Sequence, residues 1–366
     1  MNTKDIYAAV LHQRNAPYAI QRIEFGNLEP DELLIENIAS GICHTDFIAE
    51  NLVPLPAVFG HEGYGSVVEV GASVTGLQKG DRVIISYPMC GCCNGCMSGQ
   101  PFLCDHHMDL AFKGSRLNGT STTTSAYKTI STSFFQQSSF ATHSVVQAKN
   151  VVKVNCDLPA ETLAAIPCGV QTGAGAVINT FKAGPLTSIA VFGTGAVGLS
   201  AIMAAKIAGL YPIIGVDIND SRLELARELG ADYVFNAADD DIEKQIVALT
   251  KGGCKFSLET SGNEKALNTA ISTLATGGVC GMVISPHFGQ KYPFSPTEIF
   301  KGGKSLCGII QGSSVPSLFL PRLIEWIEAG RFPVDRMIQT YRFEDINTAT
   351  ADTRSGKVVK AVLTMK

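Results

Sequence analysis

The sequence contains few charged residues, and nothing in it suggests a polyanion-binding surface. Charged residues make up only 17% of its 366 positions, below the ~25% typical of globular proteins. Lys and Arg number 29 against 33 acidic residues, and no long basic run occurs, so nucleic acid is not expected as a partner. Hydrophobic residues account for 45%, enough to bury large cores, which excludes intrinsic disorder of the whole chain.

A secretory signal and a clear membrane helix are also missing from the pattern. Residues 1–21 carry scattered charges and no compact apolar core, so we expect a cytoplasmic protein. The uncharged run 186–205 is long enough for a membrane helix, but three glycines interrupt it. We interpret it as a strand, a glycine turn and a buried helix, and expect no membrane partner. Four of the 11 cysteines lie within seven positions, and in a reducing compartment such clustered cysteines indicate metal binding rather than disulfides.

The first third of the chain is rich in β-strand patterns. Residues 112–139 contain much Ser, Thr and Gly, a composition that predicts a long surface loop or insertion. The predicted strands are β-branched or apolar runs between glycines and charges: 33–38, 65–70 and 82–86.

Strands and helices alternate from about residue 186 to residue 284, which predicts a parallel sheet covered on both faces. A helix over 221–229 ends at Gly230, a residue that helix C-termini favour. A further helix is predicted at 317–329 and a last strand at 358–364. The strands predicted in the alternating region are 188–192, 212–217, 232–235, 256–259 and 278–284. This layout places one α/β domain between two parts of a β-rich domain.

Four cysteines have the spacing of a metal site. Cys90, Cys93, Cys96 and Cys104 form the pattern C-x2-C-x2-C-x7-C, and Cys92 is an extra thiol inside it. Four thiolates can close a tetrahedral shell around Zn²⁺, which leaves no open position and indicates a structural role. An Fe–S cluster and a metal-free, reduced loop are the alternatives.

A second candidate set has three ligands. Cys43, His61 and Cys168 could bind a catalytic zinc and leave its fourth position for water or substrate. The sequence does not show that they converge, and a lone buried Cys or His is more often a core residue than a metal ligand. Asp46 is a candidate acceptor for the ring N–H that a zinc-binding His61 would not use.

A glycine-rich turn indicates a dinucleotide site. Gly193, Gly195 and Gly198 form G-x-G-x-x-G after a predicted strand and before a helix, where the backbone can approach a pyrophosphate. Asp217 follows 19 residues later, where a carboxylate can bind the ribose hydroxyls and repel a 2′-phosphate. The pattern therefore favours NAD over NADP. The alternative is a turn that serves helix packing only.

Together these motifs closely resemble the zinc-dependent alcohol dehydrogenases of the medium-chain dehydrogenase/reductase superfamily. The run Gly60-His61-Glu62-x2-Gly65-x5-Gly71-x2-Val74 matches that family's zinc signature. Three segments look most like its aryl-alcohol (benzyl-alcohol) dehydrogenase branch: 138–142, 168–175 and 330–335. The resemblance implies a Rossmann-type NAD-binding domain, residues 170–310, inserted into a GroES-like catalytic zinc domain, residues 1–169 and 311–366.

The resemblance also implies roles at the zinc. Cys43, His61 and Cys168 would hold the catalytic metal, with Glu62 behind it as a possible transient ligand. Thr45 would accept the proton of the substrate hydroxyl and pass it toward the nicotinamide ribose, and Asp46 joins this catalytic set.

Other positions match the family's cofactor and substrate contacts. His44 and Lys360 would approach the pyrophosphate, while Thr172 and Val197 would pack on the nicotinamide. Each of them could instead be a structural residue. Phe47 and Phe140 could line a pocket for a flat alcohol or pack in the core. The remaining expected cofactor contacts are Arg222 and Val283.

Three departures from the family pattern affect these expectations. Ile48 stands where several alcohol dehydrogenases have a histidine that completes a proton relay. The relay would then end at ribose hydroxyls and water, as it does in the aryl-alcohol branch. The segment between Cys43 and His61 is about three residues shorter than in that branch, which puts the substrate range in doubt. Ile284 replaces a glycine beside the nicotinamide carboxamide.

The expected activity is NAD-dependent, reversible oxidation of a primary aromatic or allylic alcohol to its aldehyde, with two Zn²⁺ per chain. Alternatives are a related dehydrogenase for aliphatic or terpenoid alcohols or a thiol–aldehyde adduct, and a non-catalytic, zinc-stabilised nucleotide-binding scaffold. The resemblance also implies a homo-oligomer, a dimer or a tetramer.

Overall fold

The computed structural model describes residues 5–284 and 291–365 and divides the chain into two compact units. The first unit comprises Met1–Cys168, Val315–Glu328 and Val334–Lys366. The second comprises Gly169–Ser314 and Ala329–Pro333.

The first unit is built on β-sheets. Strands are numbered in chain order through both units, and those of the first unit are β1 (Ile6–Leu11), β2 (Ala19–Ile23), β3 (Glu32–Gly41), β4 (Ala57–Val58), β5 (Gly63–Val70), β6 (Arg82–Ile85), β7 (His143–Gln147), β8 (Val151–Lys153), β15 (Ile338–Arg342) and β16 (Lys360–Thr364). One sheet has the order β15-β16-β3-β5-β6-β8, with β7 also paired to β3, and a smaller sheet has the order β2-β1-β4.

The predicted strands of the first third fall on β3, β5 and β6. Alternate side chains of β3, such as Leu33 and Ile35, are fully buried. They pack with Val67 and Val83 in one hydrophobic cluster, as expected where one face of a sheet covers a core. β3 ends and β5 begins next to the segments that carry the zinc-site candidates.

Short helices connect these strands. The helices of the first unit are α1 (His44–Ala49), α2 (Asn94–Met97), α3 (His107–Phe112), α4 (Ala160–Ala165), α11 (Pro316–Glu328) and α12 (Ile346–Arg354). α4 is followed directly by a π-helical turn, Ile166–Val170, which contains Cys168. π-Helical turns are rare and occur frequently at functional sites.

The prediction of a surface loop over residues 112–139 is wrong for much of that segment. It is largely irregular, but Ile130 and nearly all residues from Thr132 to Phe140 are buried. Its hydroxyl groups are satisfied internally, for example by a 2.6 Å hydrogen bond between the side chains of Thr122 and Thr132. Buried polar side chains are tolerated when they are hydrogen-bonded, so composition alone did not reveal their burial.

The second unit is a doubly wound α/β structure. Its strands are β9 (Ile189–Phe192), β10 (Ile213–Asp217), β11 (Tyr233–Asn236), β12 (Cys254–Glu259), β13 (Leu274–Met282) and β14 (Ser305–Gly308). All pairs are parallel, and the order is β11-β10-β9-β12-β13-β14. This order reverses between β9 and β12, the topological switch point at which such sheets bind ligands.

The helices of the second unit are α5 (Gln171–Gly175), α6 (Ala196–Ala208), α7 (Asp220–Leu229), α8 (Ile242–Leu249), α9 (Glu264–Ser272) and α10 (Pro296–Gly302). Asn219 caps α7 by accepting a hydrogen bond from the Ser221 amide, and Gly230 ends the helix with φ of +130°. The predicted Rossmann-type sheet and β-rich domain are confirmed. β14 was not predicted, since its four residues have no clear alternation.

The uncharged run 186–205 forms β9, the glycine turn and most of α6, as interpreted above. Within the described residues, every helix is too short or too polar to cross a bilayer.

Candidate active site

The four predicted cysteines come together in the first unit. The Sγ atoms of Cys90, Cys93, Cys96 and Cys104 all lie within 4.8 Å of one another, and those of Cys90 and Cys96 are 3.9 Å apart. A tetrahedral zinc with Zn–S bonds of ~2.3 Å would place two sulfurs ~3.8 Å apart. The cluster therefore has the dimensions of a closed four-thiolate site.

Backbone amides surround these sulfurs. The N–H groups of Cys92 and Cys93 donate to Cys90 Sγ at 3.4 and 3.3 Å, and that of Asp105 donates to Cys93 Sγ at 3.4 Å. Burial raises the pKa of Cys90, but the amides of Cys92 and Cys93, together with the Cys93 and Cys104 thiols, outweigh it and lower the pKa to about 6. Burial raises the pKa of Cys96 to about 12. Donors aimed at sulfur favour thiolates, the form that binds metals.

The extra thiol, Cys92, is exposed. Its Sγ lies 3.7 Å from Cys90 Sγ, yet it falls outside the group of four sulfurs that could share one ion.

The three residues of the second candidate set, Cys43, His61 and Cys168, also converge, and they are called the open cluster below. Ligand atoms of Cys43, His61, Glu62 and Cys168 lie within 4.8 Å of one another. Cys43 Sγ is 4.0 Å from Cys168 Sγ, and His61 Nε2 is 3.2 Å from the same sulfur. Tetrahedral zinc would require ~3.8 Å and ~3.5 Å for these pairs. The donor set and its dimensions fit a zinc ion.

Asp46 holds two of these candidates in place. Its Oδ2 accepts the backbone N–H of Cys43 at 2.8 Å, which caps the short helix α1. Its Oδ1 lies 2.8 Å from His61 Nδ1. When Nδ1 donates to this carboxylate, the neutral imidazole keeps the lone pair on Nε2 for a metal, and Nε2 faces Cys168 Sγ.

Glu62 lies behind the three ligands and is fully buried. Its Oε2 forms an ion pair with the ammonium group of Lys360, which is also buried. Gly41 makes room for this carboxylate, because a Cβ on Gly41 would lie 2.0 Å from Glu62 Oε2. Among the described residues, Glu62 Oε1 has no hydrogen-bond partner. A buried, unpaired carboxylate oxygen beside three metal-binding atoms is a further sign that a cation belongs here.

The electrostatics of the open cluster follow from burial and mutual contact. The thiol of Cys168 lowers the pKa of Cys43 well below its usual range, and the same contact raises the pKa of Cys168. Burial lowers the pKa of His61, but the Asp46 carboxylate outweighs it and raises this pKa. Burial raises the pKa of Glu62 to about 7 despite the opposing charge of Lys360.

Other predicted residues of the first unit lie on α1. Thr45 Oγ1 is 3.8 Å from Cys43 Sγ, next to the open cluster. His44 is exposed, and its ring meets that of Phe47 edge-on at 5.7 Å. Phe47 is buried beneath the guanidinium of Arg354, 3.9 Å from its ring centre.

Phe140 packs in a hydrophobic cluster of the first unit, one of the two placements expected for it. It is completely buried, and its ring packs edge-to-face against Tyr18 at 6.1 Å. A side chain without accessible surface packs in the core, the alternative given above.

Sequence reasoning missed the residues that surround His61. The rings of Phe134 and Phe135 lie 5.5 and 4.7 Å from the imidazole. The side chain of Gln137 accepts the Gly63 amide at 3.1 Å and donates to the His61 carbonyl at 2.9 Å. The available signal was an aromatic pair within a polar run, which is unusual for a solvated loop.

The glycine turn of the second unit has the backbone that a dinucleotide needs. Gly193 has φ of +90°, which permits the tight turn. A Cβ on Gly195 would meet nothing within 4 Å, so the backbone there is open to a ligand. A Cβ on Gly198 would lie 1.9 Å from the Gly193 carbonyl, so only glycine lets α6 pack this closely.

Asp217 lies at the end of β10 against this turn. Its Oδ2 accepts hydrogen bonds from the Thr194 amide and hydroxyl at 2.6 and 2.9 Å. It also lines a cavity of about 830 Å³ together with Gly193 and Ile218, a volume within the range of small-molecule sites. The other charged residues lining this cavity are mainly acidic: Asp239, Asp240, Asp241, Glu243, Lys244 and Lys265.

The remaining predicted cofactor residues are placed on the elements of the second unit. Val197 lies in the first turn of α6 and Arg222 in that of α7. Thr172 is buried on α5, and Val283 follows β13, where its amide donates to the Glu259 carbonyl at 3.2 Å.

Comparison with known families decides what these two units are. Residues 29–156 match the alcohol dehydrogenase GroES-like domain, and residues 196–329 match the zinc-binding dehydrogenase domain. Together the two matches cover more than two thirds of the chain. The chain belongs to the zinc-dependent alcohol dehydrogenases. The predicted family, a medium-chain dehydrogenase/reductase, is thereby confirmed.

Relatives of this alcohol dehydrogenase match it over nearly their whole length. It is 40% identical to a geraniol dehydrogenase of Castellaniella defragrans, over 97% of this chain and 96% of that protein. The crystal structure of benzyl alcohol dehydrogenase from Acinetobacter calcoaceticus matches with a TM-score of 0.95 and 40% identity, over 99% of this chain and 100% of the other. An alcohol dehydrogenase zinc-binding domain protein from Burkholderia ambifaria matches with a TM-score of 0.96 and 40% identity, over 99% of each chain.

Proposed function

We propose that this alcohol dehydrogenase uses NAD to oxidise, reversibly, a primary alcohol whose carbinol carbon is attached to an aromatic ring or a C=C bond. One observation carries the proposal: the ligand atoms of Cys43, His61 and Cys168 converge with zinc dimensions. Because Glu62, the fourth group within reach, is paired with Lys360, the fourth position on the metal would be left for the alcohol. The first unit is then the catalytic domain and the second the cofactor-binding domain.

The metal content follows from the two clusters. Cys43, His61 and Cys168 would hold one zinc, which when bound acts as a Lewis acid that lowers the pKa of an alcohol hydroxyl. Cys90, Cys93, Cys96 and Cys104 would hold a second zinc with a structural role.

The chain's own residues position the reactants and move the proton. Thr45, beside Cys43, would accept the hydroxyl proton of the alcohol. Ile48 occupies the position at which several alcohol dehydrogenases have a histidine that passes the proton on. Without that histidine, the proton would leave through ribose hydroxyls and water. Glu62, paired with Lys360, would remain behind the ligands as a possible transient ligand.

NAD is favoured as the hydride acceptor. The open backbone at Gly195 would offer amides to a pyrophosphate, and Asp217, which lines the adjoining cavity, would bind the adenosine ribose. The surplus of carboxylates around the cavity would repel the additional phosphate of NADP. Further cofactor contacts are proposed for His44, Thr172, Val197, Arg222 and Val283. Lys360 was expected to approach the pyrophosphate, but it is buried and paired with Glu62.

Replacing Asp217 tests the cofactor assignment. For Asp217→Ala, kcat/KM with NAD⁺ should fall about 10-fold or more, because the ribose loses a charged hydrogen-bond acceptor. With NADP⁺ it should change little or rise. An unchanged ratio of the two values would show that this carboxylate does not read the ribose.

The substrate class follows from chemistry that two relatives share. Geraniol and benzyl alcohol are both primary alcohols with an sp² carbon next to the carbinol carbon, and the chain is 40% identical to a dehydrogenase named for each. An adjacent π-system stabilises the aldehyde that forms. We infer that such alcohols are preferred to saturated ones, and that terpenoid alcohols fall within this class when they are allylic.

Matched pairs of alcohols test this proposal. Purified protein with NAD⁺ is given benzyl alcohol against cyclohexylmethanol, and geraniol against citronellol, with NADH absorbance as the readout. The member of each pair with a ring or C=C bond next to the carbinol carbon should have a kcat/KM at least about 10-fold higher, or ~1.4 kcal/mol. Equal or higher values for cyclohexylmethanol and citronellol, which lack that adjacent π-system, would overturn the substrate class. Protein with one zinc that binds NAD⁺ without turnover would instead support the scaffold alternative.

A further inference from the structure

The segment from Phe134 to Phe140 has an unusual backbone. Phe135, Gln136 and Ser138 have φ values of 48°, 52° and 46°, the left-handed region that side chains other than glycine rarely adopt. Three such residues within four positions are costly, and strain of this kind persists only where surrounding contacts impose it. Backbone strain concentrates at functional sites, so the contacts of this segment are informative.

Those contacts are made with the chain between β4 and β5, which carries His61. The amides of Ser139 and Phe140 donate to the carbonyls of Gly60 and Phe59, each at 2.9 Å. The Ser138 hydroxyl donates to the Val58 carbonyl at 2.7 Å. The left-handed turn therefore brings a second chain segment alongside the backbone that precedes His61.

Gln137 continues this contact past His61. Its amide nitrogen donates to the carbonyls of His61 and Ser86 at 2.9 and 3.3 Å, and its oxygen accepts the Gly63 amide at 3.1 Å. One fully buried side chain thus spans the backbone on both sides of Glu62. The segment also encloses the imidazole with the rings of Phe134 and Phe135.

We propose that Gln137 is a positioning residue for the imidazole of His61, and that the strained segment 134–140 is the element that holds it. Asp46 fixes the rotation of the ring through Nδ1, whereas Gln137 fixes the backbone from which the ring projects. The inference rests on the proposed zinc site, since it concerns how one ligand of that site is held.

The chain offers a matched control in the next residue. Gln136 is also buried, and its amide nitrogen donates to the carbonyls of Leu110, Ser115 and Ser133 at 3.0 to 3.3 Å. None of these partners belongs to residues 58–63, the stretch that carries His61. Gln136→Met and Gln137→Met thus remove similar hydrogen bonds from adjacent positions. Only Gln137→Met removes the hydrogen bonds to the backbone of His61 and Gly63.

The test measures how fast zinc passes from each purified variant to a chromophoric chelator. Cys168→Ala should keep only the zinc of the four-thiol cluster (Cys90, Cys93, Cys96 and Cys104). Its release curve therefore identifies the part of the wild-type curve that comes from that cluster. Gln137→Met should release the open-site zinc 10- to 100-fold faster than wild type, the usual effect of losing a partner behind a metal ligand. Its kcat should fall about 10-fold or more, while its KM for NAD⁺ stays unchanged. Gln136→Met should lower the melting temperature about as much as Gln137→Met does, but its rate of zinc release should stay within about twofold of the wild-type rate.

Equal release rates for the two variants, or a wild-type rate for Gln137→Met, would overturn the inference. If Gln137→Met does not fold, Gln137→Asn decides, because its shorter amide can reach only one side of Glu62. Zinc release from Gln137→Asn that is several-fold faster than from wild type supports the proposal, and an unchanged release rate contradicts it. Wild-type protein with a single zinc would show that the proposed open site itself is wrong, a result distinct from equal rates with two zincs.

Discussion

The two cysteine clusters of this alcohol dehydrogenase have similar dimensions but differ in how they are built. The four-thiol cluster takes its ligands from 15 consecutive residues, Cys90 to Cys104, and its sulfurs accept hydrogen bonds from nearby backbone amides. The open cluster takes its ligands from three distant segments, and buried side chains such as Asp46 and Gln137 hold them.

The difference shows what each cluster needs from the fold. Local spacing and glycine turns are sufficient to assemble four thiolates, so that site can stabilise its own lobe. A site with an open position cannot use a fourth protein ligand to fix its geometry. It depends on partners behind the ligands, and these must come from the packed interior. The predictions below test this contrast.

The largest effect is expected from removing an open-site ligand. Cys168→Ala should lose one of two zincs and lower kcat/KM by roughly 10³-fold or more, because several kcal/mol of Lewis-acid stabilisation disappear. The protein should remain folded, since the four-thiol cluster is intact. Zinc analysis and NADH absorbance measure both effects, and retention of both metals would refute the ligand assignment.

Removing a ligand of the four-thiol cluster should mainly affect stability. Cys96→Ser should lose the other zinc and about 3–5 kcal/mol of unfolding free energy, lowering the melting temperature by roughly 5–10 °C. Activity per folded molecule should stay within a few-fold of wild type at low temperature. Calorimetry with matched activity measurements tests this, and a loss of turnover as large as that of Cys168→Ala would erase the contrast.

Weakening a partner behind the open site should have an intermediate effect. Asp46→Asn keeps the shape of the side chain but removes the charge beside His61, so zinc affinity at this site should fall 10- to 100-fold. Competition with a chelator measures the change. The four-thiol cluster of the same molecule is the internal control, and equal weakening of both sites would argue for general destabilisation.

The smallest effect is expected at Cys92. Because its thiol lies outside the group of four, Cys92→Ser should keep two zincs and change kcat by less than about twofold. Its melting temperature should remain within about 2 °C of wild type. Loss of a zinc from this variant would mean that Cys92 replaces one of the four assigned ligands.

The same contrast explains what could be predicted from sequence. The four-thiol cluster and the glycine turn are local patterns, and the doubly wound sheet follows from a regular alternation of strands and helices. For Cys43, His61 and Cys168 the residue types suggested a metal site, but their convergence depends on tertiary packing that only the structure shows.

The segment 112–139 marks the limit of composition-based reasoning. Its Ser, Thr and Gln residues satisfy one another and the backbone, so a polar composition coexists with burial. The sequence analysis therefore did not predict that the segment 134–140 packs against His61, although the pair Phe134-Phe135 was a signal against a solvated loop. The sequence also left the placement of Phe140 open, since aromatic side chains fill cores as readily as pockets, and the structure places it in the core.

The most direct test of the central contrast is the visible spectrum of the protein with Co²⁺ in place of zinc, titrated with imidazole. An open metal position binds this added ligand, whereas a closed four-thiolate shell does not. We predict that the bands of the wild-type protein shift on titration, and that Cys168→Ala retains thiolate–cobalt bands that do not respond. A response in Cys168→Ala equal to that of wild type, or none in wild type, would contradict the assignment of one open and one closed site.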